Sequence, residues 1–160
     1  MRRTEPRSFL VTAELDRLAR WLRLLGCDVV AYRGKPQAIY PAAYREGRTI
    51  LTCSRHITPS ALVQVIHLDP NGVDRQLKAL SRQLKLRWSP QQLFTRCGLC
   101  NTPLTPIAKA RVKSRVPAYV HRTQQRFTTC PVCHRIYWTA THGDRAKAFL
   151  RRLGVVSGRS

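Results

Sequence analysis

The sequence is short of acid. Eight Asp and Glu stand against 29 Lys and Arg, a formal net charge of +21. A field of that sign draws in polyanions and speeds their capture, with nucleic acid the first partner to consider and an acidic membrane surface the second. Long apolar runs are missing too: nothing reaches the roughly 18 consecutive apolar residues that a membrane-spanning helix needs. Met1 to Ser8 is basic but lacks the apolar stretch of a secretory signal. No internal repeat appears apart from two cysteine pairs. Hydrophobic residues, by contrast, make up 43% of the 160. That is enough for a real core, either one domain or one domain with a metal-stapled appendage.

The cysteines carry the clearest pattern. Cys97-x-x-Cys100 and Cys130-x-x-Cys133 are two hooks separated by a basic insert. Each can sit on a tight turn that aims both thiolates at one cation, and two together make the sulfur cage a structural Zn²⁺ prefers. A redox C-x-x-C usually occurs once, beside a βαβ pattern. Disulfides do not fit a chain without a secretion signal. His121, His134 and His142 lie near the hooks, but four thiolates already close the shell. Cys27 and Cys53 sit in apolar surroundings and read as buried thiols. A reducing, cytoplasmic compartment is the expectation.

Between the ends, apolar periodicity alternates. Ser8 to Val11 reads as a strand, and Leu15, Leu18, Leu22 and Leu25 mark one face of a helix over 14–25 that Gly26 caps. Cys27 to Tyr32 reads as a second strand, and Pro36 opens a short helix that Gly47 ends. Thr49 to Thr52 and Leu62 to Leu68 read as third and fourth strands, and Val73 to Leu86 as an amphipathic helix. Strand and helix in turn predict an α/β fold with a parallel sheet covered by helices. In such sheets the site lies beyond the carboxyl ends of the strands, here Thr12, Cys53 to Arg55, and Asp69 to Asp74. The expected divisions are an α/β domain over 8–90, a zinc ribbon over 91–142, and a basic helix and tail over 143–160.

Several stretches together resemble one family. Leu15-Asp-Arg-Leu-Ala-Arg-Trp-Leu-Arg-Leu-Leu-Gly-Cys-Asp28, Glu46-Gly-Arg-Thr-Ile-Leu-Thr52, Arg115-Val-Pro-Ala-Tyr-Val120, Phe127-Thr-Thr-Cys-Pro-Val-Cys133 and Tyr137-Trp-Thr-Ala-Thr-His142 are similar to the Mut-seven C-terminal RNase family. The likeness covers about residues 8 to 145. It implies a PIN-like fold with a zinc ribbon behind it, and a ribonuclease in which acids at the strand ends hold Mg²⁺ or Mn²⁺ to activate water. At those positions this chain departs from the family. Its first acid corresponds to Thr12 and its second to Ser54, and of the third cluster Asp69 remains, with Asp74 nearby. Thr and Ser are poor replacements for carboxylates around a hard dication.

Two readings follow. The first is an RNA-binding protein on a degenerate, inactive PIN-like domain, meeting structured RNA such as ribosomal RNA, or ribosomal proteins in a ribonucleoprotein particle. The alternative is an active metal-dependent ribonuclease with relocated ligands Glu14, Asp16 and Asp69. Candidate RNA contacts are Arg17, Arg20 and Arg23 along the first helix, Arg55, and Lys109, Arg111, Lys113 and Arg115 in the ribbon insert. Tyr119, Phe127, Tyr137 and Trp138 are read either as stacking platforms or as packing around the metal module. Trp21 is read as core.

Overall fold

The structure is a computed structural model that describes residues 7–138 and 141–155. The basic N-terminal stretch before Arg7, the last five residues of the expected tail, and the side chain of His142 lie outside the described residues. Four strands, β1 (Ser8–Val11), β2 (Asp28–Ala31), β3 (Thr49–Thr52) and β4 (Val65–His67), form one parallel sheet in the order β2-β1-β3-β4. The fourth strand is shorter than its apolar run, because Leu62 to Gln64 loops in before pairing begins.

Alternation along each strand sorts the core into two faces. Phe9, Val11, Leu51 and Ile66 point to one side. There they meet Leu15, Leu18 and Leu22 around α1 (Asp16–Leu24) and Leu77 and Leu80 of α3 (Val73–Gln83). Leu10, Ile50 and Val65 point to the other, under Ile39 and Ala43 of α2 (Ile39–Arg45). Both faces are covered, which is what a parallel sheet requires. Gly26 is obligatory where α1 turns into β2: its φ is +85°, and a Cβ would come within 2.6 Å of the Gln92 carbonyl oxygen.

The ribbon is a second, antiparallel sheet of β5 (Thr105–Ile107), β6 (Phe127–Thr129) and β7 (Ile136–Trp138), with α4 (Ala118–Thr123) in the long β5–β6 connection. Its own small core is Val112, Val116 and Phe127. The last helix, α5 (Thr141–Arg152), does not trail away as a basic appendage. Leu150 and Val155 are buried in the main core, and the Phe149 ring lies 4.8 Å from that of Trp21. The start of the expected tail is held as well, since Trp88 N–H donates to the Val155 carbonyl.

Candidate functional site

The chain runs from β1 outward to β2 and then back to β3 on the other side of β1. That reversal opens a crevice at the carboxyl ends of β1 and β3, where open α/β sheets place their ligands. Thr12 and Thr52 stand at its two lips with hydroxyl oxygens 3.0 Å apart. The carboxylate of Glu14 lies across it. One oxygen, Oε1, accepts the Thr12 hydroxyl at 2.5 Å, the Cys53 N–H at 3.1 Å and the Thr52 hydroxyl at 3.2 Å. Partial burial works against the charge on Glu14, but these bonds and its own backbone N–H outweigh it and hold its pKa below the usual value.

The other acids do not join it. Asp16 turns to an ion pair with Arg33 on the neighbouring face. Asp69 follows β4 at the same edge of the sheet, and its Oδ1 closes a turn on the Asn71 N–H at 2.8 Å. Asp74 lies in the first turn of α3. Among the described residues, no three carboxylate, histidine or cysteine groups converge except the four hook cysteines. Ser54 is half-buried and its hydroxyl oxygen accepts the His56 N–H at 3.4 Å, while Arg55 is exposed beside it. Cys53 is only partly buried, contrary to the expected core thiol. Burial, with the negative charges of Glu14 and Asp69, raises its pKa. Cys27 is a core thiol as expected, pushed up to about 11 by burial and accepting the Trp88 indole N–H.

The two hooks close on each other. The sulfur atoms of Cys97, Cys100, Cys130 and Cys133 all lie within 4.8 Å of one another, and Cys97 to Cys133 is 3.7 Å. A tetrahedron of thiolates about 2.3 Å from a central ion has edges of about 3.8 Å, so this donor set fits one four-coordinate metal ion such as zinc. The hooks share one backbone design. In each, the second cysteine's N–H points at the first sulfur, and the next residue takes positive φ, 65° at Asn101 and 59° at His134. Burial opposes ionisation of Cys97. The Tyr137 hydroxyl at 3.0 Å and the Cys100 and Leu99 N–H groups bring it down to about 6, while Cys100 is raised to about 12 through Cys133. A dication displaces such shared protons.

The first hook is also fastened to the sheet, and this moves one sequence-predicted RNA contact indoors. Arg23 does not continue a basic stripe on the surface of α1. It is buried, and its guanidinium donates to the carbonyls of Val29 (2.9 Å), Gly98 (3.1 Å) and Leu99 (2.9 Å). A helix that buries a leucine face swings every third residue around its axis, and position 23 lands over β2. Asn101 completes the clamp: its Oδ1 accepts the Val29 N–H at 2.9 Å, and its amide donates to Asp28 at 2.6 Å. Asp28 in turn pairs with Arg48 at 2.9 Å. Sequence reasoning missed Asn101, Arg48 and Thr52. The one visible signal was an asparagine directly after a C-x-x-C, a residue that tolerates left-handed backbone.

Arg17 and Arg20 remain on the exposed face of α1. Arg20 and Arg33 line a hollow of about 390 Å³ that runs from Asp16 to Leu99 and Cys100 of the first hook. In the insert, Arg111 and Lys113 are exposed, Lys109 donates to Gln125, and Arg115 donates to the His134 carbonyl at 2.6 Å. Of the aromatics, Phe127 is in the ribbon core, Tyr137 serves Cys97, Trp138 packs on that core, and Tyr119 is 66% exposed.

No curated protein and no solved structure matches the chain. The family model of the Mut7-C RNAse domain matches residues 7–150, from the first strand through the ribbon to the helix that returns to the core. With nearly its whole length covered, the chain belongs to the Mut7-C RNAse domain family.

Proposed function

We propose that this protein binds RNA on a PIN-like ribonuclease scaffold that no longer hydrolyses it, and that one structural Zn²⁺ holds its ribbon. The observation that carries the reading is Glu14. In the crevice where a hydrolase would present several carboxylates to Mg²⁺ or Mn²⁺, two threonine hydroxyls and a backbone N–H converge on one oxygen of Glu14, and no further acids cluster with it among the described residues. A hard dication needs several oxygen ligands at once, preferably carboxylates, and here Glu14 stands with neutral hydroxyls in place of converging acids among the described residues. Replacing acids by neutral side chains also removes repulsion toward phosphate, so the same change favours retention of RNA.

The surplus of 21 positive charges suits a large, densely phosphated partner such as ribosomal RNA within a particle. Six free cysteines, four of them forming one metal cage, support a reducing, cytoplasmic setting. Arg17, Arg20, Arg55, Arg111, Lys113 and Arg115 are the exposed contacts on this reading.

The test is cleavage and retention of a labelled structured RNA by purified protein in Mg²⁺, Mn²⁺ and EDTA, beside a Glu14→Ala/Asp16→Ala/Asp69→Ala variant. Binding without products in every lane is the expected result. Metal-dependent products that vanish in the variant would instead establish a nuclease with relocated ligands. Co-sedimentation with ribosomal particles at moderate salt, set against free RNA of equal length, decides whether the partner is a particle.

A further inference from the structure

Resting on that RNA-binding reading, we infer a second phosphate-gripping site at the opposite end of the sheet. It is a hollow of about 540 Å³ between the C-terminal halves of α3 and α5, lined by Lys78, Arg82, Lys85, Arg87 and Arg152. None of its lining residues is acidic.

Its place follows from the chain path. The helix α3 begins beside the end of β4, where Gln76 donates to the Asp69 carbonyl, and runs back for eleven residues, about 16 Å. Trp88, just past the turn that ends it, reaches Cys27 at the start of β2. The hollow therefore lies by the amino ends of the strands, away from the Glu14 crevice.

The site is built rather than incidental. Lys85 takes φ +50° to close α3, with Leu86 N–H donating to the Ser81 carbonyl at 2.8 Å and the Ser81 hydroxyl returning to the Leu86 carbonyl at 2.8 Å. Arg87 donates to the Gly154 carbonyl at 2.8 Å, which ties the turn after α3 to the end of α5. Basic residues at helix C-termini ordinarily answer the helix dipole. Two such ends supply roughly −0.5 charge each, about −1 in all, against five cations. The remaining charge of about +4, gathered in a concave space, raises the local concentration of anions and suits a polyanion that neutralises it. The side chains of Lys78, Arg82 and Lys85 have no hydrogen-bond or ion-pair partner among the described residues. Guanidinium forks beside ammonium groups in a hollow suit the phosphates of a folded chain.

Binding of a long structured RNA, read by fluorescence anisotropy across a salt series, tests this. The variant Lys78→Gln/Arg82→Gln/Lys85→Gln is compared with a charge-matched control, Arg45→Gln/Arg122→Gln/Arg135→Gln, and with Arg17→Gln/Arg20→Gln. The hollow variant is expected to weaken binding about tenfold or more and to lower the salt slope by about 2 to 3, roughly one per lost phosphate contact. Cross-linking of the unaltered protein to the same RNA should label peptides spanning 78–87. Equal effects from the hollow and control variants, or no label in that peptide, overturn the inference. So does loss of binding to anionic phosphatidylserine vesicles with RNA binding intact, which would make the hollow a lipid site. If the unaltered protein binds no RNA at all, the broader functional reading fails first.

Discussion

Asn101 accepts the backbone N–H of Val29 from 72 residues further along the chain, at 2.9 Å. Val29 belongs to β2, the outer strand of the sheet, and its carbonyl on the same edge is taken by Arg23. An exposed edge with free N–H and C=O groups invites pairing with other chains, and here the first metal hook covers it. The metal module thus braces the α/β domain through one amide and one guanidinium.

Asn101→Ala removes both hydrogen bonds of that amide and places a less tolerant residue at φ 65°. A loss of about 1–3 kcal/mol is expected, because the Val29 N–H and Asp28 lose a partner in a partly buried place. Urea unfolding of the zinc-loaded protein measures it. A change under about 0.3 kcal/mol would mean that water replaces the amide without cost.

Leu150 is fully buried against the main core although it lies beyond the ribbon. Leu150→Ala is expected to cost about 2–5 kcal/mol, the range for a leucine truncated inside a packed core. Removing α5 altogether should leave a domain that unfolds at lower denaturant. An unaltered midpoint would show that the helix is dispensable.

The four-cysteine cage should hold about one zinc per chain, and Cys97→Ser or Cys130→Ser should abolish tight binding. Because the hook is clamped to β2, the effect travels: amide exchange at Val29 and Val30 should quicken when zinc is stripped. Acid must release the metal, since protons compete for the thiolates. Metal content by mass spectrometry and exchange by NMR check the two halves separately.

Glu14 and Asp28 both have pKa values below their ordinary 4.5 and 3.8. In each case burial opposes the charge and hydrogen bonds overcome it, from Thr12, Cys53 and Thr52 for Glu14 and from Arg48 and Asn101 for Asp28. A carboxyl whose folded pKa lies below its unfolded one contributes stability fully above the unfolded value and loses it as pH falls through the folded value. The Tm gap between the natural protein and Asp28→Asn, or Glu14→Gln, should therefore be constant near neutrality and shrink as pH falls below the ordinary 3.8 or 4.5 and through the lowered folded value. A gap that is flat across the whole range would place the carboxylates outside the stability balance.

The chain's own order of residues determined a good deal. Apolar period two and period 3.6 place all four strands and the leucine face of α1 near their observed positions, because each strand or helix buries whatever its own geometry turns inward. The doubled C-x-x-C fixes the metal cage, since ligand spacing within a hook is a local matter. Thr12 and Ser54, neutral residues just past two strands, are legible in the sequence as strand-end positions. Tertiary structure alone decided what depends on long-range approach: that Arg23 is a buried clamp, that Asp28 pairs with Arg48, that Glu14 fills the crevice, and that α5 returns to the first core. Periodicity reports how much of a helix is covered but not what covers it. A basic side chain on the flank of a leucine stripe reads as solvated until the chain brings carbonyl oxygens to it from 75 residues away.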